Sequence, residues 1–261
     1  MIRPGLCSVT FRDLDVPALI DLAAETGVQV IEWGGDTHVP PGDLDLAAQV
    51  RALCAAKGIL PASYGSYVRT GTPDARAAFA DVLATARVLG AGNIRVWAGE
   101  AKRAEAGAQV FDTAAADLAH FARSAAQDNI TVSVEYHRRT LTEEAEDALA
   151  LLDAAAEDNL YSYWQPVPGR GLARWLEELE MLAPHLGDLH VFHWIMTDDG
   201  QRRRPLAEGL ADWRVLFDAW SPAPRWPHPR TAFLEFVRDN EIGQYHHDMH
   251  DLRTLCGPST D

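Results

Sequence analysis

The sequence predicts an α/β fold and, within that class, a single-domain (β/α)8 TIM barrel that spans residues 1–261. The length of 261 residues is close to the roughly 250 that such a barrel uses. Short apolar runs alternate eight times with longer amphipathic stretches, which is typical of parallel strands joined by helical crossovers. No Ser/Gly-rich linker or low-complexity segment divides the chain. The alternative for the same elements is an open, doubly wound sheet.

Each predicted unit is a strand followed by a helix. The predicted strands cover residues 5–11, 29–33, 59–65, 93–97, 130–135, 160–165, 189–194 and 231–236. The predicted helices cover residues 16–26, 44–57, 73–89, 113–127, 142–156, 172–182, 212–220 and 242–255. A glycine follows each of the first three helices, where its left-handed conformation ends a helix without strain. Thr142 is expected to cap the fifth helix through its hydroxyl group.

Composition argues against several classes of partner. The formal net charge is -15, from 38 acidic and 23 basic residues, and this charge opposes binding to nucleic acids and to anionic membranes. The sequence has no apolar run of transmembrane length, and its opening MIRPGLCSVTF lacks the apolar segment of a signal peptide, so we expect a cytoplasmic protein. The three cysteines, Cys7, Cys54 and Cys256, follow no disulfide or zinc-site spacing, and we interpret them as small buried residues.

The end of the fifth strand carries an ionisable side chain. In a barrel, side chains alternate between the lumen and the helical layer, and the carboxyl ends of the strands form the mouth where active sites are built. In ITVSVEYH, the apolar Val132 and Val134 suit the helical layer, so Glu135 should face the lumen. A carboxylate at that position is costly to bury unless a cation or a proton balances its charge.

The next three strands end with further polar groups. The same alternation directs Gln165, His193 and Glu235 toward the mouth and leaves His190 on the opposite face. Taken alone, each residue is explained as an exposed loop charge or a hydrogen-bonded structural residue. Together with Glu135 they form an oxygen-rich set with one nitrogen, which suits Mn2+, Mg2+ or Co2+ and is also compatible with Zn2+. We therefore predict a metal site built from Glu135, Gln165, His193 and Glu235.

Four segments of the chain resemble a known family. The segments VSVEYH, LHVFHW, AFLEFV and RRPLAEGLADW are similar to those of the sugar phosphate isomerase/epimerase superfamily, the xylose isomerase-like TIM barrels. The resemblance covers nearly the whole chain and implies a divalent metal held by Glu, Asp, His and Glu from strands five to eight. It implies these roles for Glu135, His193 and Glu235, whereas Gln165 replaces the usual Asp. The loss of one negative charge should weaken the metal or make its strand-six bond optional.

The resemblance also implies a reaction. Isomerases and epimerases of this family remove a proton beside a carbonyl and return it through an enediolate stabilised by the metal, so Glu135 and Glu235 are expected as the proton-transfer pair. Two alternatives stay open: a dehydratase or lyase that acts on a keto-sugar or inosose, and a noncatalytic carbohydrate-binding barrel with a degenerate site. The endonuclease branch is disfavoured because it needs a basic DNA-binding face.

The expected substrate is a small, uncharged sugar or keto-sugar, because no Gly-rich phosphate loop follows the last two strands. The expected substrate contacts are His137, Trp33, Trp97, Trp194 and Arg204. The histidine shares the parity of the strand-five glutamate, and the tryptophans lie near strand ends, where aromatic faces can stack on sugar C–H surfaces. The sequence is also compatible with a homo-oligomer.

Overall fold

The structure is a computed structural model and describes residues 2–257. This part of the chain contains ten strands. They are β1 (Ile2–Cys7), β2 (Val30–Gly34), β3 (Leu60–Thr70), β4 (Asn93–Ala98), β5 (Thr131–Glu135), β6 (Leu160–Trp164), β7 (Leu186–Val191), β8 (Trp194–Thr197), β9 (Gly200–Arg203) and β10 (Arg230–Leu234). Eight of them run parallel and close into a barrel in the order β1-β10-β7-β6-β5-β4-β3-β2, while β8 and β9 form an antiparallel hairpin. The predicted (β/α)8 TIM barrel is therefore confirmed.

Helices surround the barrel and cover the outward faces of its strands. They are α1 (Val16–Glu25), α2 (Leu44–Ala56), α3 (Ala75–Leu89), α4 (Arg103–Ala106), α5 (Ala108–Ala126), α6 (Ala145–Ala155), α7 (Leu172–Leu182), α8 (Leu210–Ala219) and α9 (Ile242–Cys256). The main apolar core lies between the two layers and also joins neighbouring helices, as where Phe79 and Phe121 stack at a centroid distance of 4.0 Å. Within residues 2–257, no helix is long and apolar enough to cross a membrane.

Several local features near the mouth differ from the prediction, and three of them bear on the site. The first strand ends at Cys7 and continues as a short 3-10 helix, Ser8–Phe11. The seventh barrel strand ends at Val191, and the hairpin of β8 and β9 follows it, which the periodicity of the sequence did not predict. Thr142 does not cap α6, because its hydroxyl donates to the carbonyl oxygen of Glu135 at 2.6 Å. That bond ties the loop after β5 to the strand end that carries the glutamate.

One layer of the barrel lumen is ionic. Arg95 on β4 is only 2% exposed, and its guanidinium lies between two buried carboxylates. Its Nε donates to Oε1 of Glu32 at 3.0 Å, and its Nη1 donates to Oε2 of Glu135. Burial alone would lower the pKa of Arg95, but Glu135 and Glu32 outweigh that effect and raise it well above its usual value. The guanidinium is therefore a fixed positive charge inside the barrel.

We predict that Arg95→Met lowers the free energy of unfolding by about 3–5 kcal/mol, because it leaves Glu32 and Glu135 buried without their cation. Urea unfolding followed by circular dichroism measures the change. The matched control is Arg103→Met, which breaks the more exposed ion pair with Asp147 and should cost less than about 1 kcal/mol. Similar losses in the two variants would contradict a structural role for the buried ion pairs.

Candidate active site

A cavity of about 280 Å3 opens at the carboxyl ends of the barrel strands. Its floor is polar and carries Arg95, Glu135, Gln165 and Glu235. Its walls are mostly aromatic or apolar and are formed by Tyr67, Trp97, Tyr136, His137, Pro166, Val167, Pro168, Phe192, Trp194 and Phe236. The remaining lining residues are Arg12, Arg138 and Gln201. An apolar wall over a few convergent polar groups is typical of a small-molecule site.

His190, on β7, is fully buried at the centre of the carboxylate cluster. Its Nε2 lies 3.1 Å from Oε1 of Glu32, and because an ionised carboxylate can only accept a hydrogen bond, Nε2 carries a proton. Its Nδ1 lies 3.5 Å from Oε2 of Glu235 and 3.8 Å from Oε1 of Glu135. Nδ1 has no hydrogen-bond partner among the described residues. In the neutral imidazole, a nitrogen lone pair therefore faces two carboxylates.

The prediction that His193 joins the carboxylates is wrong, and His190 takes its place. Leu189 and Val191 pack outward in the core between barrel and helices, so the residue between them points into the lumen. β7 ends at Val191, so the alternation of the strand does not extend to His193. The imidazole of His193 instead lies against Gly209, outside the lining of the cavity.

Gln165 lies at the floor as predicted, but it presents nitrogen to its neighbours. Its Nε2 donates to Oε1 of Glu135 at 3.0 Å and to the carbonyl oxygen of Tyr136 at 3.2 Å. Both partners are acceptors, so they fix the orientation of the amide. In this arrangement Gln165 orients Glu135. The amide oxygen of Gln165, which the sequence analysis predicted as a metal ligand, points away from that carboxylate.

The distances from Nδ1 of His190 to each of its two carboxylate neighbours suit ligands that share a divalent cation. Two ligands that share a cation at about 2.1 Å lie between about 3 and 4.2 Å apart, and the separations of 3.5 and 3.8 Å fall in that range. When Glu32, Glu135 and Glu235 are all ionised, three negative charges face the single positive charge of Arg95, and a divalent cation would balance the remaining two. Burial lowers the pKa of His190, but Glu235 and Glu32 outweigh it and raise the pKa, which reflects the same excess of negative charge.

The predicted substrate contacts divide into two groups. His137, Trp97 and Trp194 line the cavity, and the rings of His137 and Trp97 lie 4.4 Å apart. Trp33 does not line the cavity. Its side chain points outward from β2 into the core between barrel and helices, where it is fully buried. Arg204 is also outside the lining, and its exposed guanidinium pairs with Glu208 at 2.8 Å. The predictions for these last two residues are therefore wrong in their placement.

Arg95 was missed by the sequence interpretation, although the sequence contains a signal for it. Outward-facing Ile94 and Val96 flank it on β4, just as Val132 and Val134 flank a lumen-facing position on β5. A charged residue between two apolar β-branched residues in a barrel strand points into the lumen. Applied to every strand, the same alternation would have identified this residue.

The comparisons with known proteins agree with the barrel fold. A model of the family described as xylose isomerase-like TIM barrel matches residues 20–220. Curated protein sequences give no match at a significant level. Many solved structures are similar to the chain, all those named below at low sequence identity.

Three solved structures illustrate the likeness. The probable 3-DHS dehydratase AsbF of Bacillus anthracis has a TM-score of 0.78 at 19% identity, over 96% of this chain and 98% of that one. A D-psicose 3-epimerase, solved in the presence of D-fructose, has a TM-score of 0.71 at 14% identity, over 98% and 100%. A xylose isomerase-like protein from Mycobacterium smegmatis, in complex with magnesium, has a TM-score of 0.68 at 13% identity, over 98% and 96%. Since the family model covers most of the sequence, the chain belongs to the xylose isomerase-like TIM-barrel family.

Proposed function

We propose that the protein is a divalent-metal-dependent sugar isomerase or epimerase that moves a proton at a carbon beside the carbonyl of a small sugar or keto-sugar. The observation that carries the proposal is the convergence of Glu135, Glu235 and the unpaired Nδ1 of His190 at the cavity floor. Proton transfer beside a carbonyl needs a base, an acid and stabilisation of negative charge on oxygen. Glu135 and Glu235 can serve as the base and the acid, and a cation held by the cluster would stabilise the negative charge on oxygen.

Glu135, His190 and Glu235 would hold the cation. When bound, it would act as a Lewis acid toward the substrate oxygens. Glu32 accepts the Nε2 proton of His190 and so keeps Nδ1 free for ligation, an arrangement common around metal-binding histidines. Arg95 and His190 together hold the pKa of Glu32 well below its usual value, against the effect of burial, so this acceptor stays ionised.

The two glutamates have unequal surroundings. Glu135 accepts from Arg95 and from Gln165, which restrain both of its oxygens. Glu235 accepts no side-chain hydrogen bond from residues 2–257, and Nδ1 of His190 lies 3.5 Å from its Oε2. Burial raises the pKa of Glu235, and Glu135 adds to the rise although His190 opposes it. A less restrained carboxylate with a raised pKa suits removal of the substrate proton, so we assign this step to Glu235 and the return of the proton to Glu135.

The cavity walls suit a sugar. Trp97 and Trp194 present aromatic faces that can stack on sugar C–H surfaces. The Nδ1 of His137 lies 2.6 Å from the carbonyl oxygen of Arg138, so this nitrogen donates and leaves Nε2 as an acceptor. Burial lowers the pKa of His137 and keeps the ring neutral. The imidazole can therefore accept a hydrogen bond from a substrate hydroxyl.

We predict that Glu135→Gln and Glu235→Gln each lower turnover by at least about a hundred-fold, because each removes one partner of the proton-transfer pair. A screen of ketoses, keto-glycosides and inososes for deuterium uptake from D2O identifies the substrate. Nuclear magnetic resonance then measures uptake and product formation in each variant.

Glu208→Gln is the matched control, since Glu208 lies outside the cavity and pairs with Arg204. This variant should keep wild-type activity. Wild-type turnover in either Glu135→Gln or Glu235→Gln, with protein folded as judged by circular dichroism, would refute the assignment of that residue.

Arg138 favours a second candidate, a dehydratase that acts on a keto acid. Two of the three arginines that line the cavity already pair with carboxylates: Arg12 pairs with Asp36, and Arg95 pairs with carboxylates of the floor. Arg138 lines the cavity too, but its side chain makes no ion pair with a described residue. Elimination of water begins with the same proton removal beside a carbonyl, and a free guanidinium would suit a substrate carboxylate.

If the second candidate is correct, Arg138→Ala should raise KM for a carboxylate-bearing substrate by about ten- to a hundred-fold, in line with the loss of one charged hydrogen bond. It should leave KM for the matching neutral keto-sugar unchanged. Arg204→Ala is the control and should change neither value. Equal effects of Arg138→Ala on the two substrates would contradict carboxylate recognition.

A further inference from the structure

Cys7 lies beside the proposed metal site. It is the last residue of β1 and is fully buried. On one side of β1, Cys7 pairs with Glu32 of β2. On the other side, the preceding residue, Leu6, pairs with Leu234 of β10, so Cys7 lies level with Glu235, the residue after Leu234. Its Sγ lies 3.4 Å from Oε1 of Glu32. One ligand atom each from Cys7, His190 and Glu235 lie within 4.8 Å of one another, so the sulfur lies close to two of the three proposed metal ligands.

Gln165 does not present its amide oxygen as a fourth ligand to this cluster. Glu135, His190 and Glu235 offer three ligand atoms, and the fourth polar group at the floor, Gln165, turns N–H groups toward Glu135. The Nδ1 of His190, a fully buried atom without a partner in residues 2–257, points independently to a bound ligand here. Zinc sites in proteins most often have four ligands, and cysteine sulfur is among the commonest.

We propose that the sulfur of Cys7 is a further ligand of the cation and that the site consequently prefers Zn2+ or Co2+ to Mg2+ or Mn2+. The inference rests on the proposed metal site. Coordination replaces the S–H bond by a sulfur–metal bond and releases one proton to solvent. Cys7, His190 and Glu235 would have to move closer than their present separations of up to 4.8 Å to hold one cation together.

Sulfur changes metal preference because thiolates bind borderline-soft cations strongly, whereas Mg2+ and Mn2+ favour oxygen. Cys7→Ser should therefore weaken Zn2+ binding by at least about a hundred-fold. Loss of a residue that only hydrogen-bonds to a metal ligand already costs up to about that much, and Cys7 would be a direct ligand. Mn2+ binding should change much less, because a water molecule can replace the sulfur. Competition titrations with a chromophoric chelator measure both affinities.

The sharpest test is the absorption spectrum of the whole protein loaded with Co2+. A cobalt–thiolate bond gives an intense sulfur-to-cobalt charge-transfer band in the near ultraviolet, separate from the weak visible bands of any bound cobalt. The wild type should show the band, and so should the double variant Cys54→Ser/Cys256→Ser, in which Cys7 is the only cysteine. Cys7→Ser should bind cobalt without the band. A reductant without thiols is used throughout.

The outcomes separate this inference from the proposed function. Stoichiometric cobalt without a charge-transfer band in the wild type would overturn the role of Cys7 and leave the metal-dependent reaction standing. A band that persists in Cys7→Ser but is lost in the double variant would also overturn it. Failure of the wild type to bind any divalent cation would overturn the metal site itself. The wild-type protein alone shows whether cobalt binds and whether the charge-transfer band is present, so the test does not depend on the folding of a variant.

Discussion

The placement of one guanidinium between two buried carboxylates underlies the rest of the site. Without Arg95, three glutamates would share one lumen with no fixed positive charge, and at least one would have to hold a proton. Arg95 keeps Glu32 ionised, and Glu32 in turn accepts the Nε2 proton of His190. Arg95 also binds one oxygen of Glu135, which leaves the other oxygen facing His190. A chain of contacts thus orients the candidate ligands before any substrate arrives.

The fold separates this floor from the walls around it. The floor residues lie on or directly after parallel strands, whose ends the barrel holds at one level. The walls come largely from segments after the strands, including His137 in the loop after β5 and Trp194 and Gln201 in the β8–β9 hairpin. Rigid strands suit the chemistry, and loops suit the shape of a particular substrate. Chemistry and specificity are therefore set by different parts of the chain.

Much of this could be predicted from the sequence because barrel strands alternate strictly. The alternation placed Glu135, Gln165 and Glu235 at the floor, where the structure also has them. It failed for His193, since His190 lies between two outward-facing apolar residues and the strand ends at Val191. The hairpin of β8 and β9 was not predictable from periodicity, because its strands have only four residues each. The side on which Gln165 presents its nitrogen depends on tertiary partners that no local pattern reveals.

The decisive measurement is a crystal structure of the protein grown with Co2+, with anomalous data collected at the cobalt edge. We expect one strong peak in the lumen, about 2.0–2.3 Å from Nδ1 of His190 and from a carboxylate oxygen of both Glu135 and Glu235. A well-ordered lumen with no peak at saturating cobalt, or a peak beside His193 instead, would contradict the metal site on which the proposed reaction rests.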